Sequence, residues 1–229
     1  YEVLKILNIH EAEEKSINSL KSKKIENEIF IEKEKFKLIE IDFRKRMEDL
    51  NKKLDISNID IVAYDNPLQV IPGFGIGGYA PNANLIFVSL DPKFPGFSKS
   101  IGDQFSRTLA HEIHHCMRWK GPGYGTTLLE ALVTEGLADQ FDLELYGGSP
   151  YPWDLALTKD QMEKLLEKAN TEFNNKEYDH AAWFFGSKNK NIPRWTGYSL
   201  GFKIVSDYLE KNPDKKPSSL YNTSAKDFL

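Results

Sequence analysis

The residues in this chain best suited to chemistry are His111, Glu112 and His115, within Leu109-Ala110-His111-Glu112-Ile113-His114-His115. On a helix, side chains four apart lie one turn apart on the same face. His111 and His115 so placed can put two imidazoles on one Zn²⁺. Glu112 then stands beside the metal, where its carboxylate could take a proton from a zinc-activated water. The arrangement suits metal-assisted hydrolysis of a peptide bond. Catalytic zinc usually has three protein ligands and one open water position, so a third ligand must come from elsewhere. The bland alternative is a pair of solvent-exposed or capping histidines.

A helix must present this motif, and its signals are in place. Ser100-Ile101-Gly102-Asp103 offers start residues, and Gly121-Pro122-Gly123 is a firm stop. Between them Ile101, Phe105, Leu109, Ile113 and Met117 recur every fourth residue as a core stripe. At about 100° per residue, His111 and His115 fall on the side opposite Leu109 and Ile113, toward a cleft or a second packing layer. Cys116 is the only cysteine. It reads as a small buried apolar residue beside the stripe rather than a ligand or nucleophile.

The third ligand is sought among the remaining histidines and the downstream carboxylates. The metzincin extension, with Gly and then His at fixed offsets, is missing, because Arg118 and Gly121 occupy those places. The other histidines are His10, His114 and His180. His114 lies about 60° from His111 round the helix but about 100° from His115. It cannot easily join both on one metal, so a surface or supporting role is expected. Downstream, Thr127 and Glu130 have capping-box spacing and open a helix that Gly147-Gly148-Ser149-Pro150 ends. Glu130 is thereby explained as a cap partner. Glu135 lies inside the helix, beside Gly136, which costs about 1 kcal/mol relative to Ala and makes sense where two helices approach closely. Asp139, four residues on, could accept a hydrogen bond from a ligand histidine. Glu135 is the favoured third ligand and Glu130 its competitor. An ordinary solvent-facing residue is the bland reading of Glu135.

These residues together resemble the gluzincin branch of zinc metallopeptidases, and Glu135-x-x-x-Asp139 is similar to the Glu-x-x-x-Asp element of thermolysin-like enzymes. More closely, the chain resembles the predicted zinc-dependent proteases grouped as domain of unknown function 2268. The resemblance is carried by Gly77-Gly78-Tyr79, Leu109 to His115, Thr127 to Asp139, and Ile192-Pro193-Arg194-Trp195-Thr196-Gly197-Tyr198-Ser199-Leu200-Gly201. It covers roughly residues 60–210. It implies a zincin-like fold, one Zn²⁺ per chain, and peptidase chemistry on a peptide or protein substrate. Because related peptidases often use a Tyr or His from a later helix as an oxyanion donor, it also points to Tyr198. A core or cleft-lining Tyr next to Trp195 is the other reading of Tyr198. His180 is a second donor candidate, and Tyr79 could line the cleft. Surface roles are expected for Arg118 and Arg194.

The supporting elements follow from periodicity. Residues 1–54 are rich in Lys and Glu, with Ile29, Phe30, Phe36, Ile39, Phe43 and Met47 at helical spacing. Helices are expected near 10–28 and 29–53, as a helical layer against a main domain at 55–229. Residues 58–65 alternate like a strand that Asn66-Pro67 ends. Gly75-x-Gly77 is a poor phosphate loop, since no Lys-Ser/Thr follows. A hairpin fits better, with Gly77-Gly78-Tyr79 ending one strand, Pro81-Asn82-Ala83-Asn84 turning, and Leu85–Leu90 running back. Such a strand edge near the metal could hold an extended peptide by strand addition. Further helices are expected near 158–174, from Ser199 to Lys211, and from Ser224 onward. Strands in the middle with helices around them indicate α+β, with a small mixed or antiparallel sheet.

Composition sets the outer limits. A chain of 229 residues with net charge −4 and 40% hydrophobic residues suits a globular protein, and neither charge nor pI points to nucleic acid or an anionic membrane. No apolar run approaches the roughly 18 residues of a transmembrane helix. The chain opens on Tyr1 rather than Met, so an upstream segment, cleaved or left out of this sequence, is expected; a leader is one form it could take, and both a cytoplasmic and an exported location stay open. Three functional classes remain: a metallopeptidase, a binding or regulatory protein on a zincin scaffold, and a metal-free interaction protein with a coincidental motif. The intact Glu112 speaks against the second, since structural zinc needs no base. The Glu135/Asp139 pair speaks against the third.

Overall fold

The structure, a computed structural model, describes residues 58–229. The helices expected near 10–28 and 29–53, and the boundary at 54/55, lie outside the described residues. The described residues are α+β and divide into two compact units, one ending at Cys116 and the other beginning at Met117.

The first unit contains a three-stranded mixed sheet. Strand β1 (Asp60–Asp65) pairs parallel with β3 (Leu85–Leu90), and β2 (Ile76–Asn82) pairs antiparallel with β3. The order β1-β3-β2 leaves β3 central. Ile86, Val88, Ser89 and Leu90 of β3 are buried, as befits a strand flanked on both sides. Ile61 and Ala63 of β1 are buried in alternation with more exposed neighbours. The hairpin expected from sequence forms, but its first strand runs past Tyr79 to Asn82 and the turn is tighter. Asn82 makes the turn itself, its side chain accepting from the Asn84 N–H at 2.9 Å.

Helix α1 (Phe97–Trp119) follows. It begins three residues before Ser100, because Phe97 is buried at 4% exposure and Ser100 N–H already bonds to the Gly96 carbonyl. Ile101, Phe105, Leu109 and Ile113 are buried as the stripe requires, and Met117 is half-buried. Burial does not stop at the stripe: Glu112, His114, His115 and Cys116 are also buried. The surface reading of His114 is therefore wrong, since its exposure is 0%. Cys116 packs as expected, with its thiol 3.4 Å from the Asn82 carbonyl, which ties the helix to the end of β2.

The second unit is helical. Helix α2 (Leu128–Tyr146) is followed by α3 (Lys159–Glu172), the short α4 (His180–Phe185) and α5 (Thr196–Lys211). Thr127 and Glu130 form the expected capping box on α2, and Gly147 closes it with φ +64. Thr158 and Gln161 form a second box on α3. Helix α2 is buried on most sides, its polar Thr134, Glu135, Asp139 and Asp142 included, as in a helix enclosed by others. Its Leu132, Val133 and Leu137 pack in one core with Trp183, Phe184, Leu200, Ile204 and Val205. At its crossing with α5, a Cβ on Gly136 would run into the Gly201 carbonyl, and one on Gly201 into the Leu132 carbonyl. The close approach inferred from Gly136 is thus met by a second glycine. Helix α5 starts three residues before the expected Ser199. The last expected helix is a 3₁₀ turn, Ala225–Phe228, capped by Ser224.

Candidate metal centre

In the first unit α1 brings His111 and His115 together, as the i,i+4 spacing requires. Their Nε2 atoms are 3.0 Å apart, and the rings meet edge to face with centroids 4.6 Å apart. With Zn–N bonds of about 2.0–2.1 Å, two nitrogens on a tetrahedral ion lie about 3.3 Å apart. The two donors therefore converge as one zinc would need, and imidazole is a suitable ligand for it. Glu112 completes the cluster: one ligand atom from each of His111, Glu112 and His115 lies within 4.8 Å of the others. Glu112 and His115 are buried, at 5% and 6% exposure, while His111 is half-buried.

Strand β2 approaches this cluster at Gly78. A Cβ built there would fall 2.5 Å from Glu112 Cγ and 2.5 Å from its Oε1. Any side chain at this position would have to push the Glu112 carboxylate aside, so glycine lets the strand backbone pass this close to it. Sequence reading placed Gly78 at the end of a strand and missed this contact. The signal was the glycine itself, inside a strand, where it marks a close approach. Tyr79, next along β2, is 63% exposed.

The second unit holds the other candidates. Glu135 is buried at 5% exposure and Asp139 at 0%, which excludes the solvent-facing reading of Glu135. Glu135 Oε1 accepts a hydrogen bond of 2.5 Å from the Tyr124 hydroxyl. Glu130 does different work: its Oε2 accepts from the Thr126 and Thr127 N–H groups at 2.7 and 3.0 Å. Partial burial raises the Glu130 pKa, but these cap hydrogen bonds outweigh it and hold the carboxyl below its ordinary value.

Around Glu135 stand aromatic hydroxyls and one imidazole. Burial, and then the Glu135 charge, push the Tyr124 hydroxyl well above its ordinary value. Tyr178 is raised to about 12, by burial and then by Glu135 and Glu130. Both phenols thus stay protonated at neutral pH and are donors. His180 contacts the Tyr178 hydroxyl at 3.2 Å through Nδ1 and stacks on Phe184 at 4.4 Å. Burial lowers its pKa, against the opposing pull of Glu135 and Asp179. Tyr198 meets the same Phe184 edge-on at 5.1 Å. The structure therefore gathers His180 and Tyr198 on one aromatic platform.

The two arginines separate. Arg194 is exposed and stacks 4.7 Å from the Trp195 ring centroid. Arg118 does not take the surface role expected of it: it is 1% exposed. Its Nε donates to Thr134 Oγ1 at 2.9 Å and its Nη1 to the Tyr221 and Thr223 carbonyls at 3.2 and 3.3 Å. Burial lowers its pKa to about 10, with Glu130 opposing, so the guanidinium stays charged and acts as a clamp between α2 and the C-terminal segment.

Residues 8–229 match the family described as predicted Zn-dependent protease, domain of unknown function 2268. The chain belongs to this family. Its name implies zinc dependence and a peptide substrate, and the His111/Glu112/His115 cluster is consistent with the zinc dependence. No curated protein and no solved structure matches the chain. Among the described residues, no helix is long and apolar enough to cross a membrane.

Proposed function

We propose that this protein is a gluzincin-type zinc metallopeptidase with a zincin-like fold, holding one Zn²⁺ through His111, His115 and Glu135. The observation that carries the reading is the convergence of the two Nε2 atoms at 3.0 Å with Glu112 in the same cluster. Membership of a family described as predicted Zn-dependent proteases supports it. Glu135 is the third ligand because it is a buried carboxylate, whereas Glu130 is spent on its cap. Asp139, one turn further along α2, supports the ligand set. Zinc held there supplies Lewis acidity that polarises a peptide carbonyl and acidifies a water.

The chain's own groups carry the protons. Glu112 takes one proton from the attacking water at its carboxylate, as the water oxygen bonds to the carbonyl carbon. It returns that proton to the amide nitrogen as the C–N bond breaks, releasing amine and carboxylic acid. Gly78 keeps the β2 backbone against Glu112 and so fixes where the base can point. Tyr198 donates a hydrogen bond to the developing oxyanion. Strand β2 lies at an edge of the sheet among the described residues. An extended substrate could add beside it, with the scissile bond near Glu112.

The test is cleavage of a peptide library by the zinc-loaded chain and by Glu112→Gln. The substitution keeps the metal ligands and removes the base, so zinc content holds while cleavage falls at least ~100-fold. Equal cleavage by both would end the general-base assignment. Zinc binding without cleavage by either would leave a metal-holding binding protein.

A further inference from the structure

The Tyr124 hydroxyl donates to Glu135, and its surroundings are built to hold it there. It sits between Gly123 and Gly125, whose φ values are +79 and +108, a backbone path that side chains with a Cβ resist. A Cβ on Gly125 would also collide with Glu130. The two glycines thus let the loop run close against the first turn of α2. Tyr124 is then pinned to α2 at both ends. Its carbonyl accepts from Thr134 Oγ1 at 2.9 Å, and its hydroxyl donates to Glu135 Oε1 at 2.5 Å. Thr134 and Glu135 are neighbours in sequence, so the residue is anchored twice on a single turn. Arg118 fixes the first anchor, donating to the same Thr134 hydroxyl at 2.9 Å. That arginine lies three residues beyond His115 on α1.

We propose that Tyr124 is the positioning residue for the Glu135 carboxylate, setting its rotamer and plane for zinc, with Thr134 and Arg118 holding Tyr124 in place. The inference rests on the reading of Glu135 as a zinc ligand. A carboxylate on a flexible Glu side chain loses rotamer freedom when it binds a metal. A donor fixed on one oxygen removes that freedom beforehand, as outer partners of metal ligands do elsewhere. Tyr124 touches no reacting atom in this scheme; it acts through Glu135.

The experiment measures zinc affinity of the full chain by competition with a chromophoric chelator, for wild type, Tyr124→Phe, Glu135→Gln and the double variant. Tyr124→Phe keeps the ring and removes the hydroxyl. It should weaken zinc about 10–100-fold and leave the melting midpoint of the zinc-stripped protein unchanged. In the Glu135→Gln background the same change should alter affinity by less than about twofold, because the hydroxyl acts only through that carboxylate. Thr134→Val, which frees the carbonyl end and keeps Tyr124, should weaken zinc less than Tyr124→Phe does. Wild-type affinity in Tyr124→Phe with weakened affinity in Glu135→Gln would overturn the inference and spare the ligand reading. A Tyr124→Phe loss that persists undiminished beside Glu135→Gln would also overturn it, by showing a general structural role. Wild-type affinity in Glu135→Gln would remove the ligand reading and this inference with it.

Discussion

Helices α1 and α2 each carry part of the proposed centre, and they encode it differently. On α1 the two histidines are placed by spacing alone: four residues, one turn, Nε2 atoms 3.0 Å apart. On α2 the four-residue step from Glu135 to Asp139 points to Glu135 but does not by itself rule out Glu130. Glu135 is buried, beside the Tyr124 hydroxyl, on a helix that is enclosed nearly all round. What sets it apart from Glu130, five residues earlier, is what each carboxylate touches: Glu130 binds the N–H groups of its own helix start, and Glu135 binds a phenol from the preceding loop. Local geometry makes a ligand pair legible. A carboxylate placed by packing is told from its competitor by its neighbours.

The contrast extends to glycine, and the largest stability effect is expected there. Gly136→Ala drives a Cβ into the Gly201 carbonyl, which belongs to backbone and cannot swing aside. Denaturant unfolding should show a loss of about 2 kcal/mol or more. Retention of full stability would mean that α2 and α5 do not cross as described. Next comes Glu130→Ala, which removes the Glu130 half of the capping box and should cost about 1 kcal/mol while leaving zinc content intact. The folded-state pKa of Glu130 is held below its ordinary value. Its contribution is therefore full above the ordinary carboxylate pKa and is lost as pH falls through the depressed folded value. Stability measured against pH should accordingly flatten in the acid limb for this variant. Zinc loss in Glu130→Ala would instead hand the ligand role to Glu130. The smallest effect is Gly102→Ala on α1. No atom of the described residues outside its own helix turn lies within 4 Å of the added Cβ, so thermal unfolding should show a gain of up to about 1 kcal/mol. A loss there would erase the difference between the two helices' glycines.

Much of the α+β layout was legible in the sequence, because strand alternation, capping boxes and glycine stops are local. Thr127/Glu130 and Thr158 marked their helix starts correctly. The starts of α1 and α5 were missed by three residues each. Helix α5 has Trp195 at its N-cap in a left-handed conformation, φ +67, with no side-chain cap to announce it. Arg118 was read as a surface residue, and His114 as a surface or supporting one, because a charged or polar type on a helix is usually exposed. Tertiary partners override that rule for Arg118, whose guanidinium binds carbonyls about a hundred residues away in sequence. Gly78 and Tyr124 were missed for the same reason, since each matters through a residue distant in sequence, Glu112 or Glu135.

The central claim is that zinc sits on two imidazoles and a carboxylate. The most direct test is the zinc-edge X-ray absorption spectrum of the metal-loaded chain. The account predicts two imidazole nitrogens at about 2.0–2.1 Å, oxygen donors filling the rest of the shell, and loss of one oxygen or a change of geometry in Glu135→Ala. A sulfur at about 2.3 Å would move the metal to Cys116, and a third imidazole would return His114 to the ligand set. Either result would contradict the account.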